Sequence, residues 1–180
     1  ERISIYLSSS KAFSQMTLRE SFHYDGKIME CGMPRNDLLI ENSIDKKNNI
    51  KSKLGISVET QIVIYAPTFR HDLEYKYTLD YEKTLNALTE RFGNNWIMLV
   101  RAHYYLESKK VDTDRIKNVS DYSDMQELLL ASDVLITDYS SSIWDFSLMK
   151  KPCFLYMPDY SSYVDERDLY TPIQVWPYPA

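Results

Sequence analysis

Glycine is scarce in this sequence. Four glycines occur in 180 residues, and none belongs to a G-x-G-x-x-G fingerprint or a Walker A loop. Both loops need glycine because the backbone must approach a phosphate closely. A nicotinamide enzyme or a P-loop ATPase is therefore not expected. Cysteine is scarcer still, with only Cys31 and Cys153. Two thiols make no disulfide framework, and their spacing fits no zinc site. Both sit in apolar runs, so both are expected as small buried core residues. No stretch approaches the roughly 20 apolar residues that a membrane span needs. The best run, 128–136, is interrupted by Ser132 and Asp133. Positive charge is in deficit, with a net charge of −5. That argues against nucleic-acid binding but leaves room for a local basic pocket. Lys46, Lys47, Lys51 and Lys53, like Lys109 and Lys110, read as solvated surface. Internal repeats are absent. The first residue is Glu1 rather than Met, and a strand-like segment follows at once. Residues 1–180 are therefore expected to be one domain, cut from a longer chain.

The apolar runs that are present have a consistent form. Residues 61–66, QIVIYA, are β-branched and apolar without polar alternation, the pattern of a strand covered on both faces. Residues 96–100 and 134–137 read the same way. Shorter strands are expected at 3–7, 27–31, 116–119 and 152–156. Helical patterns lie between them, at 81–92, 124–131 and 141–149, with a capped helix following Ser8, Ser9 and Ser10. Buried strands alternating with helices specify an α/β fold, a Rossmann-like parallel sheet with helices on both faces.

In such sheets, ligands bind beyond the carboxyl ends of the strands. Three of those ends carry polar groups that no core requires. Thr68 and Arg70 follow the first strand, Arg101 and His103 the second, and Asp138, Ser140 and Ser141 the third. Three consecutive hydroxyls, Ser140 to Ser142, open a helix there. A helix start offers unpaired N–H groups and partial positive charge to a phosphate. Arg70 and Arg101 are candidates for charge-assisted contacts to the same group. His103 is a candidate acid or base, since an unperturbed imidazole titrates near pH 6.5. Asp112-Thr113-Asp114 has the D-x-D spacing of some metal-dependent glycosyltransferases, but it lies in a polar stretch and not after a buried strand. No metal site or cofactor is expected.

These segments, taken in order, resemble the CDP-glycerol glycerophosphotransferase family of teichoic-acid and capsule polymerases. Gly32-Met33-Pro34-Arg35-Asn36-Asp37 is similar to its G-x-P-R-N-D, residues 65–70 to its Y-A-P-T-[WF]-R, and Arg101-Ala102-His103 to its R-x-H. The longest match runs over 132–141 and continues through Asp145 to Lys151-Pro152. The resemblance implies a GT-B-like transferase of two Rossmann-like halves, with this chain as the carboxyl-terminal, donor-binding half. The donor would be CDP-glycerol or CDP-ribitol, and the acceptor a growing polyol-phosphate polymer. It places the catalytic histidine at His103 and adds Arg35 to the donor-binding set. It also implies a second histidine in an H-G-T-P-like motif of the amino-terminal half. That motif does not occur here, so the fragment alone is expected to be inactive. The whole protein is expected in the cytoplasm, at the inner face of a bacterial cell membrane. The family often carries P-G-P where this chain has Trp176-Pro177-Tyr178-Pro179, which leaves that segment without a role. Two rival readings remain: a GT-B half using a nucleotide sugar, and a non-catalytic module binding a polyanion or a partner protein.

Overall fold

The computed structural model describes residues 3–68, 78–102 and 112–166, together with Ile173 and Trp176. Its main body is a five-stranded parallel sheet built from β3 (Gln61–Ala66), β4 (Trp96–Val100), β5 (Ile116–Asn118), β6 (Val134–Thr137) and β7 (Cys153–Leu155). The order across the sheet is β5-β4-β3-β6-β7. The chain first winds outward from β3 to β5, then returns past β3 to lay down β6 and β7. The winding direction thus reverses between β3 and β6, the position where open α/β sheets leave a crevice.

The apolar runs explain why the sheet is covered on both sides. Successive side chains of a strand point to opposite faces. Ile62, Ile64 and Ala66 join one core, with Leu39 from α2 (Asp37–Glu41), Ile50 from α3 (Ile44–Lys53), Leu128 from α5 (Met125–Ala131) and Phe146 from α6 (Ser142–Ser147). Val63 and Tyr65 join the other, with Leu85 and Leu88 from α4 (Tyr81–Phe92). Burying one such aliphatic side chain contributes roughly 1.5–3 kcal/mol. Asp80 caps α4 by accepting from the Lys83 N–H at 2.9 Å, and Gly93 at φ +66° ends it. A last helix, α7 (Tyr160–Glu166), follows β7.

The segment before α2 departs from expectation. β1 (Ile5–Ser8) and β2 (Lys27–Glu30) form their own two-stranded parallel sheet and do not join the five-stranded one. A short helix, α1 (Lys11–Phe13), and a π-helical stretch (Ser14–Ser21) connect them. Ile5, Leu7 and Met29 stay largely exposed. Apolar content alone does not say which sheet a strand joins, and these strands are half-exposed where β3 and β6 are buried.

Two burial expectations also change. Cys31 is exposed and only Cys153 is buried; Cys31 follows β2, whose residues are themselves mostly exposed. Burial pushes the Cys153 thiol up to about 12. Its folded value exceeds its unfolded one, so the neutral thiol's contribution to stability is present below about pH 9 and lost as the pH rises toward 12. Thiolate is the reactive species. A maleimide at neutral pH should therefore label one cysteine in the native protein and two in denaturant. Two equivalents in the native state would contradict this placement.

The lysine cluster is only half a solvated surface: Lys46 and Lys53 are exposed as expected, but Lys47 and Lys51 are not, and Lys109 and Lys110 lie outside the described residues. The Lys51 side chain is fully buried, and its ammonium donates to the carbonyls of Val58 (2.9 Å) and Thr60 (2.7 Å). Lys47 pairs with Asp133, which also accepts from the Ile62 N–H at 3.0 Å. These bonds tie α3 to the starts of β3 and β6, at the sheet edge opposite the crevice.

Candidate functional site

A cavity of about 700 Å³ opens at the carboxyl ends of β3, β4 and β6. Ala66 and Pro67 line it from β3, Arg101 and Ala102 from β4, Ser120 from beyond β5, and Ser140, Ser141 and Ser142 from the turn after β6. α5 contributes Met125 and Gln126, and a 3-10 turn (Pro34–Asn36) contributes Arg35. The crevice expected from the winding is thus present, with its walls drawn from four sheet-edge segments.

Asp138 does not line this cavity but ties together the segments that do. It is 2% exposed, and its Oδ1 accepts the N–H of Thr68 (2.8 Å) and the N–H of Tyr139 (2.7 Å). One carboxylate thereby ties the β3 end to the β6 end across the reversal. Thr137 adds a second tie, its Oγ1 donating to the Ala66 carbonyl at 2.7 Å. Asp138 and Thr68 thus hold their lining neighbours in place, whereas the serines face the cavity.

The serine turn is more polar and less helical than the sequence suggests. α6 is six residues long (Ser142–Ser147), so its dipole is small. Its first N–H groups are also engaged. Ser142 N donates to Ser140 Oγ (3.3 Å), Ile143 N to the Ser140 carbonyl (3.3 Å) and Trp144 N to the Ser141 carbonyl (3.1 Å). Ser142 Oγ donates to Ser140 Oγ at 2.9 Å. Hydroxyls and guanidinium groups, more than the helix end, are what the turn offers an anion. Farther along α6, Trp144 packs on Trp176 with ring centroids 5.7 Å apart. Trp176 therefore packs on the helix that carries the turn.

Two of the three candidate arginines, Arg35 and Arg101, stand in the cavity wall. Arg101 is half-buried and gives its Nη1 to the Tyr122 carbonyl at 2.5 Å. Burial lowers its pKa and Asp124 partly offsets that, but a guanidinium keeps its charge in a protein. Arg35 Nε and Nη2 reach the Asp145 carboxylate at 3.1 and 3.3 Å. Asp145 also accepts from Asn36 Nδ2 (2.7 Å) and Gln126 Nε2 (3.0 Å).

Arg35, Arg101, Ser140 and Ser141 are thus brought together at one cavity; Thr68 and Asp138 do not line it and are bonded to each other next to its lining residues. Arg70 and His103 lie outside the described residues. Ala102, the residue before His103 in sequence, lines the wall. Sequence reasoning gave no role to Ser120, Gln126 or Asp145. Asp145 stood within the longest motif, but nothing local distinguishes a carboxylate that orients an arginine from one that faces solvent. Asp112, of the D-x-D spacing, accepts the Asn118 N–H at 2.8 Å and so shapes a turn.

The comparisons with known proteins agree in direction. The family model described as CDP-Glycerol:Poly(glycerophosphate) glycerophosphotransferase matches residues 2–179. A teichoic acid poly(glycerol phosphate) polymerase of Bacillus spizizenii is 38% identical over 168 residues, covering 89% of this chain and 42% of that protein. A teichoic acid glycerol-phosphate transferase of Staphylococcus aureus is 36% identical over 168 residues, covering 89% of this chain and 43% of that protein. A solved structure of the wall teichoic acid polymerase TagF, in a variant soaked with CDPG, is similar at TM-score 0.76 and 33% identity, over 94% of this chain and 43% of that one. This chain spans about two fifths of the length of these relatives. With the family model matched over nearly its whole length, the chain belongs to the CDP-glycerol:poly(glycerophosphate) glycerophosphotransferase family.

Proposed function

We propose that this chain is the donor-binding half of an enzyme that moves glycerol phosphate from CDP-glycerol to a growing teichoic-acid-like polymer. One observation carries the reading: the cavity at the winding reversal is lined by two arginines and four serines. A diphosphate needs that combination of fixed positive charge and hydroxyl donors. Both relatives described above handle glycerol phosphate, which favours CDP-glycerol over CDP-ribitol.

The chemistry follows from the charge. A hydroxyl at the polymer end attacks the phosphorus that bears glycerol. A new P–O bond forms, the pyrophosphate P–O bond breaks, and CMP leaves with the electron pair. Arg35, Arg101, Ser140 and Ser141 hold the diphosphate, and Arg70 joins them from the segment after Thr68. His103, the residue after Ala102, serves the transferred phosphoryl group by moving a proton or stabilising charge. Positioning and electrostatic stabilisation dominate such transfers. The reaction consumes only donor and acceptor and needs no prosthetic group. The other half supplies the opposite wall, with acceptor contacts and a second histidine. No helix among the described residues is long and apolar enough to cross a membrane. Polymer synthesis would place the whole protein in the cytoplasm, at the inner face of the cell membrane.

A thermal-shift panel on the whole protein tests the donor class. CDP-glycerol should raise Tm by several degrees at 100 times its Kd, since linkage contributes about 2.7 kcal/mol there. UDP-sugars should leave Tm unchanged. A shift with UDP-sugars alone would favour a nucleotide-sugar transferase. A shift with polyglycerol phosphate and with no nucleotide would favour a binding module.

A further inference from the structure

We infer that Asp145 is a positioning residue of the donor pocket, orienting the Arg35 guanidinium toward the diphosphate. The inference rests on the donor-binding reading above and assigns a role to a residue that has none in it. The motivating observation is the saturation of one carboxylate. Oδ1 accepts from Arg35 Nη2 and Asn36 Nδ2, and Oδ2 accepts from Arg35 Nε and Gln126 Nε2. A carboxylate offers about four acceptor sites, and all four are taken.

Two consequences follow. A negative group in the wall of an anion pocket ordinarily repels the ligand. Here no lone pair is left to face a phosphate, and the charge is matched by Arg35. The remaining donors of Arg35 are also set in place. The clamp uses the Nε and Nη2 edge, while Nη1 has no protein partner among the described residues. The Arg35 side chain is 51% exposed, on a short turn outside both sheets. Without the clamp, a long side chain in that setting would sample many rotamers. With it, a planar fork is held in one orientation at the cavity wall.

The network also explains why three separate elements meet at this wall. Arg35 and Asn36 come from the turn before α2, Gln126 from the first turn of α5, and Asp145 from α6. Asp145 is 9% exposed and Asn36 is 7% exposed. α6 carries the serine turn at its start and Asp145 one helical turn later. The hydroxyls and the arginine are therefore referenced to the same helix.

A double-mutant cycle in the whole enzyme tests this. Arg35→Ala should raise KM for CDP-glycerol roughly 10- to 100-fold, the range of one charge-assisted hydrogen bond. Asp145→Asn should raise it roughly 5- to 30-fold with kcat changed by less than about twofold, because a bound ground-state contact is loosened. In the Arg35→Ala background, Asp145→Asn should add nothing to KM. An equal effect of Asp145→Asn in both backgrounds, or an unchanged KM in a folded variant, overturns the inference. If Asp145→Asn does not fold, Gln126→Met removes one donor and leaves the Arg35 pair. It should raise KM roughly 2- to 5-fold, again only when Arg35 is present, and an unchanged KM overturns the inference. The two readings fail separately. If the wild-type enzyme uses another nucleotide-diphosphate donor, the functional reading falls, and the same cycle read on that donor's Kd still decides the role of Asp145.

Discussion

His103→Ala in the whole enzyme should lower kcat for glycerol-phosphate transfer by roughly 10²–10⁴-fold, the usual contribution of one positioned acid or base. The KM for CDP-glycerol should move by less than about threefold, since the group acts on the transferring phosphoryl and not on ground-state binding. Steady-state CMP release measured against donor concentration separates the two. The expectation rests on the chain path. β4 delivers Arg101 and Ala102 into the cavity wall, the Ala102 N–H is pinned to Ser120 Oγ at 3.2 Å, and His103 follows directly in the sequence. Normal transfer by the variant would remove His103 from the mechanism.

Asp138→Ala should be the most damaging change to the described site. It deletes a buried carboxylate and strands the N–H groups of Thr68 and Tyr139 that it accepts. Leaving a buried donor unsatisfied costs about 1–3 kcal/mol each, so a loss of roughly 2–6 kcal/mol is expected, with a lower Tm. Donor affinity should fall as well, because the β3 and β6 ends lose their tie. Asp138→Asn should be milder, since an amide oxygen still accepts. Chemical denaturation monitored by far-UV circular dichroism measures the stability, and titration with CDP-glycerol the affinity. A variant of full stability would mean that the tie between the two strands carries little energy.

The central sheet was legible because its signals are local. QIVIYA, WIMLV and VLIT lack polar alternation, and each one is a buried strand followed by polar residues at its carboxyl end. That alone directs attention to the right edge of the sheet. The amino-terminal strands were legible as strands but not as a separate sheet, because pairing depends on partners that lie far away in sequence. Lys51 defeated composition for a related reason. Its ammonium is buried only because the carbonyls of Val58 and Thr60 turn back to meet it. The helix at the serine turn was expected to run over 141–149 and runs from Ser142 to Ser147. Serine hydroxyls compete for the first backbone donors there, which moves the anion-binding burden onto Arg35 and Arg101. The Arg35–Asp145 pair spans 110 residues of chain, and only the folded arrangement brings the two together.

A crystal structure of the whole protein with CDP-glycerol, or with a non-transferable analogue, tests the central claim most directly. Both phosphorus atoms should lie in the cavity at the β3–β6 reversal, with their oxygens within hydrogen-bond reach of Arg35, Arg101 and the hydroxyls of Ser140 and Ser141. Phosphates bound elsewhere, for example in the crevice beside Asn95 and Arg115 at the opposite end of the strands, would contradict it.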